Sequence, residues 1–200
     1  MLLDFGFDYV LENDRVRLEP LRIDHLSALK NISREENIWT YFLGRSNGQE
    51  NFESYILDAI DCRKKEKEYS FAVFDKEKNS YAGSTRFFEI SDELNTIRLG
   101  YTWYGKGFRG TGLNKNCKYL LFEFAFERLK AERIGLGAHE ENIVSIAAMK
   151  TIGCTEEGRI RNLFPSIDNH GRSDAILLGI LKKEWHEEVK HKLKTTLIKI

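Results

Sequence analysis

Between Leu99 and Asn114 the chain reads Leu-Gly-Tyr-Thr-Trp-Tyr-Gly-Lys-Gly-Phe-Arg-Gly-Thr-Gly-Leu-Asn. An aromatic, apolar run empties into a loop that carries Gly105, Gly107, Gly110 and Gly112 together with Lys106 and Arg109. Glycines let backbone N–H groups approach an anion closely. A helix starting just behind such a loop adds unpaired amides and the positive end of its dipole. The order of strand, glycine loop and helix therefore predicts a site for a phosphate-bearing molecule.

Hydrophobic periodicity sketches the elements that must hold this loop. Val16 to Leu21 alternates apolar and polar residues as a strand does. Asp24 is placed to cap a helix carrying Leu26, Leu29 and Ile32, and a second helix is expected from about Gln49 to Lys67. Tyr69 to Asp75, Tyr81 to Glu89 and Thr96 to Trp103 read as three strands joined by short polar turns, an antiparallel meander. Behind the glycine loop, a helix from about Gly112 to Leu129 turns Leu113, Cys117, Leu120, Leu121, Phe124 and Leu129 inward. The strand Arg133 to Ala138 then requires a parallel crossover. A helix over Ile143 to Ile152, strands at Thr155 to Asn162 and Arg172 to Leu181 around an Asp168 to Gly171 turn, and a surface helix from Glu184 complete the chain. The fold class is mixed α/β (α+β): one domain over residues 1–200, with a mostly antiparallel central sheet of about six or seven strands flanked by helices. A change of pairing direction tends to open a crevice at the strand ends.

The loop admits three readings. Gly105 to Gly110 spells G-x-G-x-x-G, but that dinucleotide fingerprint needs a parallel βαβ unit and an acidic residue about 20 positions on. Helix interior stands there instead, and Glu140 and Glu141 lie farther away. A nicotinamide site is thus the remote alternative. A Walker A loop fails because Thr111, not Lys, follows Gly110. The third reading fits: Arg109-Gly-Thr-Gly-Leu-Asn114 resembles the Q/R-x-x-G-x-G/A pyrophosphate loop of the GNAT (GCN5-related) N-acetyltransferases. Gly100 to Trp103, Gly110 to Asn114, Ala125-Phe-Glu127, Asn142 to Ser145, Gly153, Glu157-Gly158, Asp174 and Glu184-Trp185 also fall in the order of one branch. That branch contains the acetyltransferases of ribosomal-protein N-termini, and the similarity covers about Arg15 to Trp185.

The resemblance implies a GNAT-like fold and acetyl transfer from acetyl-CoA to an amine, a protein N-terminus or a small amine, by direct attack in a ternary complex. It gives the coenzyme A pyrophosphate to the backbone of Arg109, Gly110, Thr111, Gly112, Leu113 and Asn114, with the Arg109 side chain beside them. It puts an oxyanion-binding N–H around Tyr101, Thr102 and Trp103. It gives Asn142 a hydrogen bond to the pantetheine arm and makes Ser145 a candidate acid for the departing thiolate. Asn142 also suits a helix N-cap and Ser145 a first turn, independently of any cofactor. Many relatives carry a Glu two residues before the Gly-Tyr pair, where this chain has Arg98, which cannot accept a proton at neutral pH. Glu89 and His139 are the local candidates for the base. A tyrosine common in the relatives' last strand is absent from Ala175 to Gly179. Both departures favour a rival reading, a non-catalytic acyl-CoA-binding module.

Composition narrows the rest. Thirty-one Lys and Arg balance thirty-one Asp and Glu, so the basic footprint of a nucleic-acid binder is missing. Cys62, Cys117 and Cys154 are widely spaced and suggest neither a disulfide framework nor a metal site. Neither a signal-peptide pattern nor an apolar run of membrane-spanning length is visible, and a cytoplasmic location is expected. The segment after Trp185 mixes apolar and basic residues and can pack on its own domain or meet a second copy in a homo-oligomer.

Overall fold

The computed structural model describes residues 3–42, 48, 50–168 and 170–197. In chain order the elements are β1 (Leu11–Glu12), β2 (Val16–Pro20), α1 (His25–Ser33), α2 (Phe52–Lys64), β3 (Tyr69–Asp75), β4 (Ser80–Ser91) and β5 (Thr96–Tyr104). After a 3-10 turn (Lys106–Phe108) come α3 (Leu113–Glu123) with a π-helical extension (Phe124–Arg128), β6 (Arg133–His139), α4 (Ile143–Thr151), β7 (Thr155–Pro165) and β8 (Arg172–Leu181). The chain closes with α5 (Lys182–Glu184), a π-helical turn (Trp185–Val189) and α6 (Lys190–Leu197).

Eight strands form one sheet in the order β1-β2-β3-β4-β5-β6-β8-β7. Among the described pairs only β5 and β6 run parallel, as the crossover through α3 demands. The strand count exceeds the expected range because β1 is only two residues long, too short to show a period. β3 is buried on nearly its whole length since both sheet faces are covered. One core holds Phe71, Val73, Ile97, Leu99, Leu113, Leu121, Phe126 and Trp185 on the α3 and α6 side. The other gathers Leu29, Trp39, Phe52, Ile56, Ala72 and Trp103 beneath α1 and α2.

Three expectations change at element ends. Asp24 makes no capping hydrogen bond, because its backbone is already helical. Asn51, instead, accepts from Ser54 N–H at 3.0 Å and starts α2 at Phe52; Gln49 lies outside the described residues, as does Asn169 of the β7–β8 turn. The C-terminal helix is not merely a surface feature. Trp185 is fully buried, its ring centroid 5.6 Å from Tyr119 and 5.9 Å from Phe126, with Nε1 donating to Glu127 at 3.0 Å. The segment thus packs on its own domain, as far as the described residues reach. No helix among them is long and apolar enough to cross a membrane.

Candidate active site

β5 and β6 stay paired only at Thr96↔Arg133, Ile97↔Ile134 and Arg98↔Gly135. Beyond that point β5 follows β4 to Tyr104↔Gly83, while β6 follows β8 to His139↔Ala175. A gap therefore opens between Leu99–Tyr104 and Leu136–His139. Its β5 wall carries a bulge: the register passes from Arg86↔Gly100 to Ser84↔Trp103, so Tyr101 and Thr102 together face Thr85. Tyr101 takes φ 48°, a left-handed conformation in which a non-glycine residue is strained. The bulge brings these backbone groups out of step with the β4 ladder and aims the two side chains oppositely.

On the α3 side, Thr102 Oγ1 lies 2.7 Å from Thr85 Oγ1 and accepts from Lys118 Nζ at 2.8 Å. On the α2 side the Tyr101 ring packs 5.0 Å from Phe88 and 4.4 Å from the Arg86 guanidinium. Arg86 is buried and ion-paired with Glu68 at 2.7 Å. Burial opposes its charge, but Tyr55 and Glu68 hold its pKa above the usual arginine range. Burial also raises the Tyr101 phenol, and the Glu68 charge adds to this. Trp103 is core: its ring meets Trp39 and Phe52, and Nε1 donates to Tyr55 Oη at 3.2 Å. The side chains of the expected trio Tyr101, Thr102 and Trp103 are all engaged within the fold, so it is their backbone that is left to face the gap.

The glycine loop sits at the end of β5. Gly110 and Gly112 take φ 72° and 82°, which glycine adopts freely, and the space above Gly110 where a Cβ would stand is open. The Arg109 side chain folds back so that Nε donates to the Tyr104 carbonyl at 2.9 Å. Thr111 Oγ1 donates to the Phe108 carbonyl at 2.8 Å, and Asn114 Oδ1 accepts from Tyr104 Oη at 3.2 Å. Leu113 is buried in the core, so only its backbone is offered to a ligand. The first hydrogen bond at the start of α3 runs from Asn116 N–H to the Gly112 carbonyl at 3.2 Å. The amides of Leu113 to Lys115 precede it and point out of the helix end, the arrangement that binds a diphosphate.

Across the gap, Asn142 caps α4 by accepting from Ser145 N–H at 3.1 Å, which leaves its Nδ2 as a donor; Ser145 is half-buried in the first turn. His139 is buried, stacked 5.7 Å from Phe164 and, at 5.6 Å, tilted against Tyr41, whose hydroxyl donates to the Glu141 carbonyl at 3.0 Å. Its Nδ1 accepts from Glu141 N–H at 3.2 Å, so the neutral ring carries its proton on Nε2. Glu89 is exposed and ion-paired with Arg98 at 3.1 Å. Arg98 lies along β6 because two glycines leave room: a Cβ on Gly137 would stand 3.1 Å from its Nη2. Glu89 is therefore already paired, whereas of the His139 ring only Nδ1 is; its Nε2 is buried without a hydrogen-bond partner among the described residues. Beside the bulge, Glu66, Glu68, Glu89, Phe88 and Tyr101 line an open recess of about 450 Å³.

Sequence reasoning missed Thr85, Arg86, Glu68 and Lys118. Arg86 on β4 meets Glu68 just ahead of β3, a contact that a linear pattern does not reveal. Lys118 did leave a signal: it precedes buried Leu121, Phe122 and Ala125 at the i+3, i+4 and i+7 spacing of an inward helix face. Burial lowers Lys118 to about 8 and raises the Cys117 and Cys154 thiols to about 12. Neither cysteine is placed to act as a nucleophile.

A family model described as "Acetyltransferase (GNAT) domain" matches residues 15–155. A Bacillus subtilis (strain 168) protein named "Putative ribosomal N-acetyltransferase YdaF" is 33% identical over 99 residues, 48% of this chain and 52% of that protein. "Probable N-acetyltransferase YjcK" of the same organism is 29% identical over 107 residues, 53% of this chain and 59% of that protein. The chain thus spans about half the length of the curated relatives it matches. Among solved structures, a GCN5-related N-acetyltransferase from Brucella melitensis superposes with a TM-score of 0.83 at 25% identity, covering 94% of this chain and 85% of its own. A ribosomal-protein-S5-alanine acetyltransferase from Vibrio fischeri shares the fold at TM-score 0.71 and 17% identity, covering 89% of this chain and 99% of its own. With a family model matched over residues 15–155, the chain belongs to the GNAT acetyltransferase family.

Proposed function

We propose that the chain transfers an acetyl group from acetyl-CoA to an amine by direct attack within a ternary complex. The observation that carries this reading is the opening of β5 from β6 directly beside a loop whose helix-end amides precede the first helical hydrogen bond. The backbone of Gly110 to Asn114 would hold the diphosphate, with the Arg109 guanidinium alongside. Asn142 Nδ2 would meet the amides of the pantetheine arm while Oδ1 keeps α4 capped. The bulge at Tyr101–Thr102 would turn a backbone N–H toward the thioester oxygen, where negative charge develops in the transition state. The amine would enter from the α2 side, through the recess lined by Glu66, Phe88 and Tyr101. Glu89 would serve as base only on leaving Arg98, and His139 only by changing tautomer. Water in the recess therefore carries the amine proton away. Ser145 would supply a proton to the departing sulfur. The acceptor is a peptide N-terminus or a small amine, in keeping with the names of the matched relatives, and the reaction belongs to the reducing cytoplasm, where Cys62, Cys117 and Cys154 stay free.

The pairing of Glu89 with Arg98 favours a second reading, an acyl-CoA-binding module without turnover. Free-thiol release from acetyl-CoA, assayed against a panel of N-terminal peptides, polyamines and amino acids, separates the two. Amine-dependent release is expected. Saturable acetyl-CoA binding with no release across the panel would favour the module.

A further inference from the structure

Lys118 is 4% exposed, yet it forms no ion pair among the described residues. Thr102 Oγ1, at 2.8 Å, takes one of the three protons of its ammonium. The titratable groups that face it are the Cys117 thiol on its own helix and the Cys154 thiol behind α4. Both are held neutral by burial, so neither supplies a counter-charge. A buried cation without an anion is costly and persists where something else makes use of it.

Its position indicates that use. Thr102 belongs to the part of β5 that β6 has already left, so the ammonium stands at the wall of the gap, on the α3 side. An ammonium can only donate, so Thr102 Oγ1 is the acceptor of that bond; the Thr102 and Thr85 hydroxyls share one proton at 2.7 Å, and each lies 3.4 Å from the Gly100 carbonyl. The relay ties Lys118 to both ends of the bulge. Along α3 the residue lies about 7 Å from Leu113, at ~1.5 Å per residue, inward from the amides given to the diphosphate.

Resting on the acetyl-transfer reading, we infer that Lys118 is the built-in counter-charge for the sulfur of coenzyme A, stabilising the thiolate that leaves when the acetyl group is transferred. In that step the amine nitrogen forms a bond to the thioester carbon, and the C–S bond breaks. Sulfur departs with the bonding pair as a thiolate, to be protonated afterwards by solvent through the Ser145 hydroxyl, while the proton shed by nitrogen passes to water. Lys118 stays protonated throughout; its charge replaces the solvation that sulfur loses in the gap.

The test is the ionisation of bound coenzyme A, followed by the ultraviolet thiolate band from about pH 6 to 9, with the desulfo-coenzyme A complex as the blank for protein thiols. In the wild type the bound thiol should titrate at least about one unit below its ordinary value of roughly 8.5. Lys118→Met should return it to that value or above, and Lys118→Arg should keep it low. An identical titration in the wild type and Lys118→Met overturns the assignment and leaves the cofactor reading standing. No binding of coenzyme A by the wild type overturns both. Should Lys118→Met not fold, the wild type alone decides. Its affinity for coenzyme A should rise about tenfold relative to desulfo-coenzyme A between pH 6 and 9, the linkage equivalent of a one-unit shift. Parallel pH profiles for the two ligands would overturn the assignment.

Discussion

Asn142 caps α4 and is proposed to bind the pantetheine arm as well, and substitution can separate the two roles. Its Oδ1 caps α4 through Ser145 N–H, while Nδ2 is the atom proposed to meet the pantetheine arm. Asn142→Ala should cost about 1 kcal/mol of stability, the usual loss of an N-cap, together with affinity for acetyl-CoA. Asn142→Asp keeps the capping oxygen and removes the donor. Chemical denaturation should show its stability unchanged while calorimetry shows weaker binding. Equal affinity in all three proteins would reduce Asn142 to a cap. Ser145→Ala should leave binding within about twofold and slow transfer about tenfold, below the usual range of roughly 10²–10⁴ for a general acid because Lys118 shares the load on sulfur. An unchanged rate would return Ser145 to an ordinary first-turn residue. These residues were legible in the sequence because a cap and a turn are local. The partners of Glu89 and His139 were not: Arg98 reaches Glu89 across the β4–β5 pairing, and His139 receives a backbone proton set by the turn after β6.

At the scale of elements, the loop between β5 and α3 was readable because its glycines answer a backbone requirement that leaves a mark in composition. Gly110 adopts φ 72° with open space above it, so a side chain there enters that space, where the diphosphate is proposed to lie, rather than protein. Gly110→Glu should therefore fold with a modest loss of about 1–2 kcal/mol from the left-handed backbone. Acetyl-CoA affinity should fall by more than about a hundredfold, because a carboxylate then faces the diphosphate. Wild-type affinity in this variant would sink the loop assignment. The bulge at Tyr101–Thr102 left no such mark. It arises from two-against-one pairing with Thr85, a relation between strands. The full burial of Trp185 in the C-terminal segment was hidden for a related reason. Its short apolar pattern around Trp185 gave no hint that Tyr119, Phe122 and Phe126 of the α3 segment form the surface it fills. Trp185→Ala should lower unfolding stability by about 3–5 kcal/mol, the range for emptying a buried aromatic site. A change under 1 kcal/mol in urea denaturation would contradict this packing.

Over the whole molecule, neutrality of charge conceals a directional dependence on pH. Burial works to raise the carboxyls of Glu19 and Glu127. Tyr81, His25 and Arg17 nevertheless hold the first below its ordinary range, as Lys190 and the Trp185 indole hold the second. Asp8 is held low chiefly by its hydrogen bond to Arg63. Each depressed carboxyl adds stability that is complete above its unfolded pKa, near 4, and is lost as pH falls through the lower folded value. The urea midpoint should accordingly hold steady from pH 7 to about 5 and drop below about 4; a midpoint that rises on acidification would reverse the sign. The fold itself, a meander that turns parallel at a glycine loop, was legible because hydrophobic periods and glycine spacing are one-dimensional. What the gap does depends on side chains that meet only once the sheet is built. The most direct test of the central claim is calorimetric titration of the wild-type protein with acetyl-CoA beside NADH. Micromolar binding of acetyl-CoA and none of NADH is the predicted result. Binding of NADH without acetyl-CoA would contradict the account at its base, since the loop between β5 and α3 would then hold a different diphosphate.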